Sequence, residues 1–419
     1  MKDARWPWRF ERWLGTTAIV KAIVRAGNRG RLYWVPQMPK VLLRRYGTEP
    51  HVGPKSLTVP PVPADLLSMP GIRRDPELEQ ASFKRGPTPD IDQWFPLARK
   101  LTARYMWLPR LMSRPRINRA ERKFFARGVR TLPGPVPEAA ALTPEELNAM
   151  VKARAAELGL SAVGIAPYNE KYVWEPEFPK RVGDRVVVCV LEQNYNATQS
   201  APSLRSERAA LATYGTLYQL TTALADYLRD LGYAAREGTG AALGVAIHYG
   251  VEAGLGQLGM NGQLLTPFAG SRCRIVLLNT DAPIAIDHPV DYGVPKLCDA
   301  CRVCVRRCPT GAIPSVRKFH RGVEKAKIKI ERCAPMVSQV HGCAICMKTC
   351  PVQKYGLPDV LNHYAETGKI LGKGSDELEG YGWPDGRWYG PGDKPRSAIT
   401  TEMLEPDGLK LIPAVPWPD

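Results

Sequence analysis

The sequence predicts an α+β fold, with a mixed core followed by a smaller C-terminal domain organised by cysteine. Three observations lead there. Residues 143–231 read as helix, strand, strand and long helix in succession. A glycine-dense stretch over residues 246–259 precedes another apolar strand pattern. Eight of the ten cysteines fall into two runs, Cys298-x2-Cys301-x2-Cys304-x3-Cys308-Pro309 and Cys333-x9-Cys343-x2-Cys346-x3-Cys350-Pro351.

The 419 residues carry a formal net charge of +17, placed unevenly. Residues 1–130 hold 27 Lys and Arg against 10 Asp and Glu, a surplus equal to that of the whole chain, so the remainder is neutral. Trp6, Trp8, Arg9, Arg12 and Trp13 lead into a short apolar piece, residues 18–24, that Lys21 interrupts. This is not a secretory pattern, and Arg44-Arg45 has no apolar segment after it to make a twin-arginine signal. No run of about 18 apolar residues marks a transmembrane helix, and cytoplasmic residence is the expectation. Residues 6–25 have two readings: a basic, Trp-rich amphipathic helix in peripheral contact with an anionic membrane surface, or a helix docked on the protein's own core. No nucleic-acid motif accompanies the basic third, so nucleic acid is not expected as a partner.

Residues 47–90 are rich in Pro and Gly and read as an extended strap, and Pro133, Pro135 and Pro137 mark a boundary. Thr143-Pro144-Glu145-Glu146 is a capping box with proline at the first helical position, so a helix starts there. Leu147, Met150, Val151, Ala155 and Leu158 repeat at helical spacing up to Gly159, a C-terminal stop. Residues 162–166 and 185–191 follow as strands, with Cys189 a small buried hydrophobe in the second. A long helical pattern over residues 202–231 runs through Leu204, Leu211, Tyr214, Leu217, Tyr218, Leu224 and Leu228. Glycines at the density of residues 246–259 let another backbone, or a large flat ligand, approach closely. Residues 274–279 return as a strand, residues 280–283 turn, and the cysteine domain starts at Leu297. The Gly-, Trp- and Tyr-rich tail from Leu361 reads as a wrap over the core. Four units result: a basic extension and strap (1–135), the core (136–295), a ferredoxin-like domain (296–357) and a C-terminal wrap (358–419).

The two cysteine runs carry a specific chemistry. An iron–sulfur cubane takes one thiolate per iron, and in a bacterial ferredoxin run the fourth cysteine ligates the other cluster. Cys298, Cys301 and Cys304 are therefore expected to share one [4Fe–4S] cluster with Cys350, and Cys333, Cys343 and Cys346 a second with Cys308. Pro309 and Pro351 end each turn by fixing φ and removing a donor. Zinc sites and disulfides are the competing uses of paired cysteines, but two zinc sites would not need the interleaved arrangement twice.

Residues 158–166 (Leu-Gly-Leu-Ser-Ala-Val-Gly-Ile-Ala), Ala253-Gly254-Leu255-Gly256-Gln257-Leu258-Gly259, Leu264-Leu265-Thr266-Pro267, Thr280-Asp281-Ala282-Pro283 and the two cysteine runs occur in that order. Over about residues 145–355 this resembles the corrinoid-dependent reductive dehalogenase family, whose superfamily includes the epoxyqueuosine reductases. The cysteine standing well ahead of Gly342-Cys343 is similar to the dehalogenase branch. The resemblance implies a nitroreductase-like core holding base-off cobalamin. The block of residues expected at this corrinoid is Tyr249, Gly254, Leu255, Gly256, Gln257, Leu258, Gly259 and Asn261. It implies a proximal cluster beside the corrin, a small organohalide substrate, and an electron donor such as ferredoxin, flavodoxin or a quinol-linked reductase. Removal of halide takes two electrons and a proton, so a positioned weak acid is required.

By position within the resemblance, Tyr214 matches the tyrosine acid, with Tyr218 as substitute, and Arg272 or Arg274 matches the arginine that holds it. A neighbouring cation favours a tyrosinate and eases proton donation. The plain alternative for Tyr214 is a core aromatic packed on Leu211 and Tyr218. His248 and His341 are expected to be ordinary side chains and not cobalt ligands. Asn194-Tyr195-Asn196, at the end of the Val-rich strand, is expected at a pocket edge. One position departs from both branches: Gly240, beside Thr239, stands where the family places an aspartate or asparagine. That absence argues against an epoxyqueuosine reductase-like enzyme of tRNA modification, which is the second reading. The third is a non-catalytic electron-transfer or corrinoid-handling protein.

Overall fold

The computed structural model describes residues 54–75, 142–173, 175–238, 243–340, 342–383 and 386–395. Residues 6–25, Arg44-Arg45, the strap beyond residue 75, the boundary prolines, Thr239, Gly240, His341 and the tail from residue 396 lie outside the described residues.

Residues 54–75 run without regular structure except for α1 (Ala64–Leu67). Helix α2 (Pro144–Leu158) starts at the expected capping box. Thr143 Oγ1 accepts from Glu146 N at 3.2 Å, and Glu146 Oε2 accepts from Thr143 N at 2.8 Å. Gly159 closes it in the left-handed region at φ +93°, where a side chain would be strained.

Strand β1 (Ala162–Pro167) pairs antiparallel with β2 (Arg185–Glu192), Ala162 lying opposite Val190. Strand β2 is buried from Val186 to Leu191, with no polar alternation, because both of its faces are covered. Val187, Cys189 and Leu191 pack toward α2 and the long helix Leu204–Asp230, while Val186, Val188 and Val190 pack toward Tyr249, Ala253 and Leu255. A period of two thus divides one apolar run between two cores. Each buried valine stabilises by about 1.5–3 kcal/mol.

Helix α3 (Tyr195–Gln199) and helix α4 (Leu204–Asp230) follow, α4 capped by Ser203 Oγ accepting from Ser206 N at 3.1 Å. Then come β3 (Ala235–Glu237), α5 (Ala246–Glu252), β4 (Gln257–Leu258), β5 (Leu264–Leu265) and β6 (Cys273–Thr280). The main sheet has the order β1-β2-β6-β3, antiparallel throughout. Centred in it, β2 and β6 carry their Glu192 and Cys273 ends to one edge. Both features that matter for function below start at that edge.

The glycine-dense stretch admits protein backbone. A Cβ at Gly256 would lie 2.3 Å from Leu265 O, and one at Gly164 would lie 2.6 Å from Ala253 O. Gly256→Ala is therefore expected to destabilise the protein by about 1–3 kcal/mol through overpacking. A denaturant midpoint equal to that of the unaltered protein would rule this out.

His248 on α5 stacks on Tyr172 with ring centroids 5.0 Å apart. Burial first, then Lys325, Arg321 and Arg74, pushes its imidazole down to about 4. An unfolded histidine titrates near 6.5, so the unfolded chain binds the proton first as pH falls. Stability is full above about pH 6.5 and drops by about 3 kcal/mol on the way to pH 4. His248→Phe keeps the stack and is expected to flatten the pH dependence of the unfolding temperature over that window. Equal slopes for both proteins would contradict it.

The cysteine segment comprises α6 (Val294–Cys301), α7 (Val303–Arg307), the hairpin β7 (Lys318–His320) and β8 (Val323–Lys325), α8 (Ile330–Gln339), α9 (Ile345–Lys348), α10 (Pro351–Tyr355) and α11 (Leu357–Thr367). Arg302 and Ala344, each between the second and third cysteines of its run, share left-handed φ values of 53° and 59°. The two runs therefore turn alike.

Two expectations about the tail need correction. The boundary expected between residues 357 and 358 falls inside α11, whose Leu357, Val360, Leu361 and Tyr364 are buried against Leu297, Cys301 and Cys350. That apolar stripe ties α11 to the cysteines. Beyond it, α12 (Asp376–Glu379) and the hairpin β9 (Tyr381–Gly382) and β10 (Trp388–Tyr389) wrap the cysteine segment and not the sheet core. The reason is the need of two buried cations for acceptors. Arg307 donates to Tyr389 O and Pro391 O, both at 3.2 Å, and to Asp393 O, and Lys348 Nζ donates to Leu378 O at 3.2 Å and to Gly380 O. Among the described residues no helix is long and apolar enough to cross a membrane.

Candidate functional site

Cys298, Cys301, Cys304 and Cys350 line one hollow, together with Met260, Asn261, Leu265, Leu297 and Val352. Three of these cysteines come from the first run and one from the second. The other four stand together as well: after burial, the charges that raise the Cys346 thiol are those of Cys343, Cys333 and Cys308. Among the described residues no group of three or more His, Cys, Asp or Glu could hold a single metal ion. The thiols surround a space and do not converge on a point.

Two opposed effects act on these sulfurs. Burial pushes Cys301 up to about 12 and Cys333 up to about 11, and it raises Cys304, Cys343, Cys346 and Cys350 too. Yet backbone amides aim at them and favour the thiolate: Met260 at Cys298, Val303 at Cys301, Val352 and Gln353 at Cys350, Ile345 at Cys343 and Met347 at Cys346. Ala312 N donates to Cys308 Sγ at 3.3 Å. Dry thiols ringed by amides fit a polynuclear iron centre, whose positive charge offsets the desolvation of the thiolates.

At the sheet edge, Arg272 and Arg274 are two apart on an extended segment and so face the same way. Arg272 is buried. It bonds Glu192 Oε1, Gln193 O at 2.7 Å and Gln353 Oε1 at 2.9 Å, and its guanidinium lies over the Tyr195 ring, 5.1 Å from the centroid. Arg274 donates to Gln193 Oε1 at 2.5 Å and lies over the Tyr214 ring, 5.3 Å from its centroid. Tyr214 in turn stacks on Tyr218 at 6.2 Å. The arginine beside Tyr214 is thus Arg274, and it meets the ring face, a cation–π contact. Arg272 is the link to Tyr195 and, through Gln353, to α10. Asn194 Oδ1 caps α3 by accepting from Ala197 N at 2.7 Å.

The residues expected at a corrinoid divide. Tyr249 is fully buried with its hydroxyl tied to the Asn169 backbone at 3.2 Å, and Leu255 is buried in the core beneath the sheet. Gln257 bonds Asp291, Tyr292 N and Val294 N. A Cβ at Gly254 would meet His288 O at 2.5 Å, one at Gly256 meets Leu265 O, and one at Gly259 would meet the Leu265 side chain at 1.9 Å. Tyr249, Gly254, Leu255, Gly256 and Gln257 thus pack against or bond neighbouring protein groups. Leu258 is half-buried, and Asn261 lines the four-thiol hollow while donating to Ser271 Oγ at 3.2 Å. Arg274 Nε and Gln263 Oε1 are buried without a partner among the described residues.

Sequence reasoning missed Glu192, Gln193 and Gln353, which hold the arginines. The only signal was position, Glu192 and Gln193 lying where the Val-rich strand ends.

No family model matches the chain. The tetrachloroethene reductive dehalogenase of Dehalobacter restrictus is 31% identical over 214 residues, covering 40% of this chain and 39% of that protein. That of Sulfurospirillum multivorans is 28% identical over 180 residues, covering 41% and 36%. The epoxyqueuosine reductase of Cellulophaga algicola is 26% identical over 259 residues, covering 52% and 82%. Among solved structures, the catabolic reductive dehalogenase NpRdhA in complex with 3-bromo-4-hydroxybenzoic acid aligns with a TM-score of 0.60 at 21% identity, over 72% of this chain and 47% of that one. The chain spans about two fifths of the length of the curated dehalogenases it matches. At 21% identity the structural likeness shows the fold. That fold, a mixed helix-and-sheet body, is one that oxidoreductases use. The chain is thus similar in sequence both to reductive dehalogenases and to epoxyqueuosine reductases.

Proposed function

We propose that this protein is a corrinoid-dependent iron–sulfur oxidoreductase that cleaves a carbon–halogen bond of a small organohalide. In this reading the sheet and its flanking helices are a nitroreductase-like core, and the segment from α6 to α11 is a ferredoxin-like domain with two [4Fe–4S] clusters. The observation that carries it is a continuous set of contacts, from Tyr214 through Arg274, Gln193, Arg272 and Gln353 to the cysteine loop of Cys350. In this reading a proton source and an electron source are joined by one partly buried network.

A corrinoid, when bound, supplies the strongly reducing cobalt that such a cleavage needs. The chain's own tasks are separate. Asn261, which lines the four-thiol hollow, with the nearby Leu258 and Gly259, would hold the group. Tyr214 holds the proton at its hydroxyl, and Arg274 over its ring fixes its orientation. Cys298, Cys301, Cys304 and Cys350 would hold one cluster, and Cys308, Cys333, Cys343 and Cys346 the other. A ferredoxin, flavodoxin or quinol-linked reductase would be the electron donor.

Anaerobic reconstitution with cobalamin, followed by halide release from halogenated phenols and ethenes under a low-potential reductant, tests the proposal. Halide release that needs both cobalt and iron is expected. Turnover without cobalt, or none on any organohalide by fully loaded protein, contradicts it. Epoxyqueuosine reduction is the second reading, favoured by the match that spans 82% of the Cellulophaga algicola enzyme. Loss of queuosine from tRNA on deletion of the gene would decide for it.

A further inference from the structure

Gln353 is 1% exposed and sits on α10, in the turn that follows Cys350. Its backbone amide, with that of Val352, lies near the Cys350 sulfur and favours its thiolate. Its side-chain oxygen accepts from Arg272 Nε at 2.9 Å and from Gln199 Nε2 at 3.1 Å, and its own Nε2 donates to Lys348 O at 3.2 Å. The seat is close: Gly270 has φ +51°, and a Cβ there would lie 2.7 Å from Gln353 N. One residue therefore touches a cysteine of the four-thiol hollow with its main chain and the edge arginine with its side chain.

We propose that Gln353 is a positioning residue that couples the cluster held by Cys350 to Arg272, so that the placement of this arginine sets how readily that cluster accepts an electron. The inference rests on the cluster reading given above. One-electron reduction adds one negative charge to the cluster and makes or breaks no bond. Hydrogen bonds to ligating sulfur and nearby positive charge both favour the reduced form. Without the Gln353 side-chain oxygen, Arg272 Nε is left buried and unpaired. The guanidinium then shifts toward Glu192, the α10 turn loosens, and the Gln353 backbone amide draws away from the Cys350 sulfur. All three changes make the cluster harder to reduce.

An EPR-monitored redox titration with a low-potential reductant, on anaerobically purified protein, reads this directly and needs no turnover. Gln353→Met keeps the length and removes the polar atoms. Arg272→Lys keeps the charge but not the fork that reaches Glu192, Gln193 and Gln353 together. Each is expected to lower the reduced-to-oxidised ratio of the Cys350 cluster about tenfold at a fixed potential, about 59 mV for one electron. The other cluster should be unmoved. The double variant should shift no further than the larger single one, because both break the same link. An unaltered midpoint in either single variant with full iron, or additive shifts in the double, overturns the inference. Arg272→Lys gives the answer alone if Gln353→Met fails to fold. Unaltered protein that binds no iron would instead remove the cluster reading beneath it.

Discussion

Cys350→Ala is expected to cost the protein about half of its iron and to abolish turnover. The argument is one of ligand exchange between runs. Cys350 belongs in sequence to the second run, yet it lines the hollow of Cys298, Cys301 and Cys304. Each iron of a cubane needs its own thiolate, so removing this one opens the cluster held by the first run. The rest of the fold should tolerate the change, since α11 packs against Cys350 mainly through Leu357, Val360 and Leu361. The EPR spectrum that survives Cys350→Ala should match that of Cys298→Ala, and that of Cys308→Ala should match Cys343→Ala. If Cys350→Ala matched Cys343→Ala instead, each run would keep its own cluster and the pairing would be wrong.

The second large effect is expected from Tyr214→Phe. Loss of a positioned general acid typically lowers a rate by about 10²–10⁴. Phenylalanine keeps the ring under Arg274 and the stack on Tyr218, so iron and cobalt contents should not change. Tyr218 is buried on the core side of that stack, and Tyr218→Phe should change turnover by less than about tenfold. Reversal of the two results would make Tyr218 the donor. Full activity in both would remove a tyrosine acid from the mechanism.

What the sequence made legible follows from how local each cause is. The α2 capping box and the valines of β2 are fixed by neighbours in the chain, and both elements lie where their residues predict. That Cys298, Cys301, Cys304 and Cys350 meet around one hollow was legible because cluster chemistry dictates ligand spacing. Strands β3, β4 and β5 were not, since two or three residues carry no periodicity. Helix α11 was hidden by Pro358, which is compatible with a first turn but reads as a break. The glycines announced a close approach without saying by what, and at Gly256 it is the Leu265 carbonyl. Gln193 and Gln353 were invisible for the same reason. Gln353 meets Arg272 across 81 positions of chain, and nothing local to a buried glutamine reports its partner.

The most direct test of the whole account is metal analysis of protein purified anaerobically and reconstituted with cobalamin, with iron, sulfide and cobalt quantified on the same sample and EPR recorded. Two cubanes and one corrinoid predict about eight irons, about eight sulfides and one cobalt per chain. Eight irons without cobalt would contradict the corrinoid at the core of the proposed function.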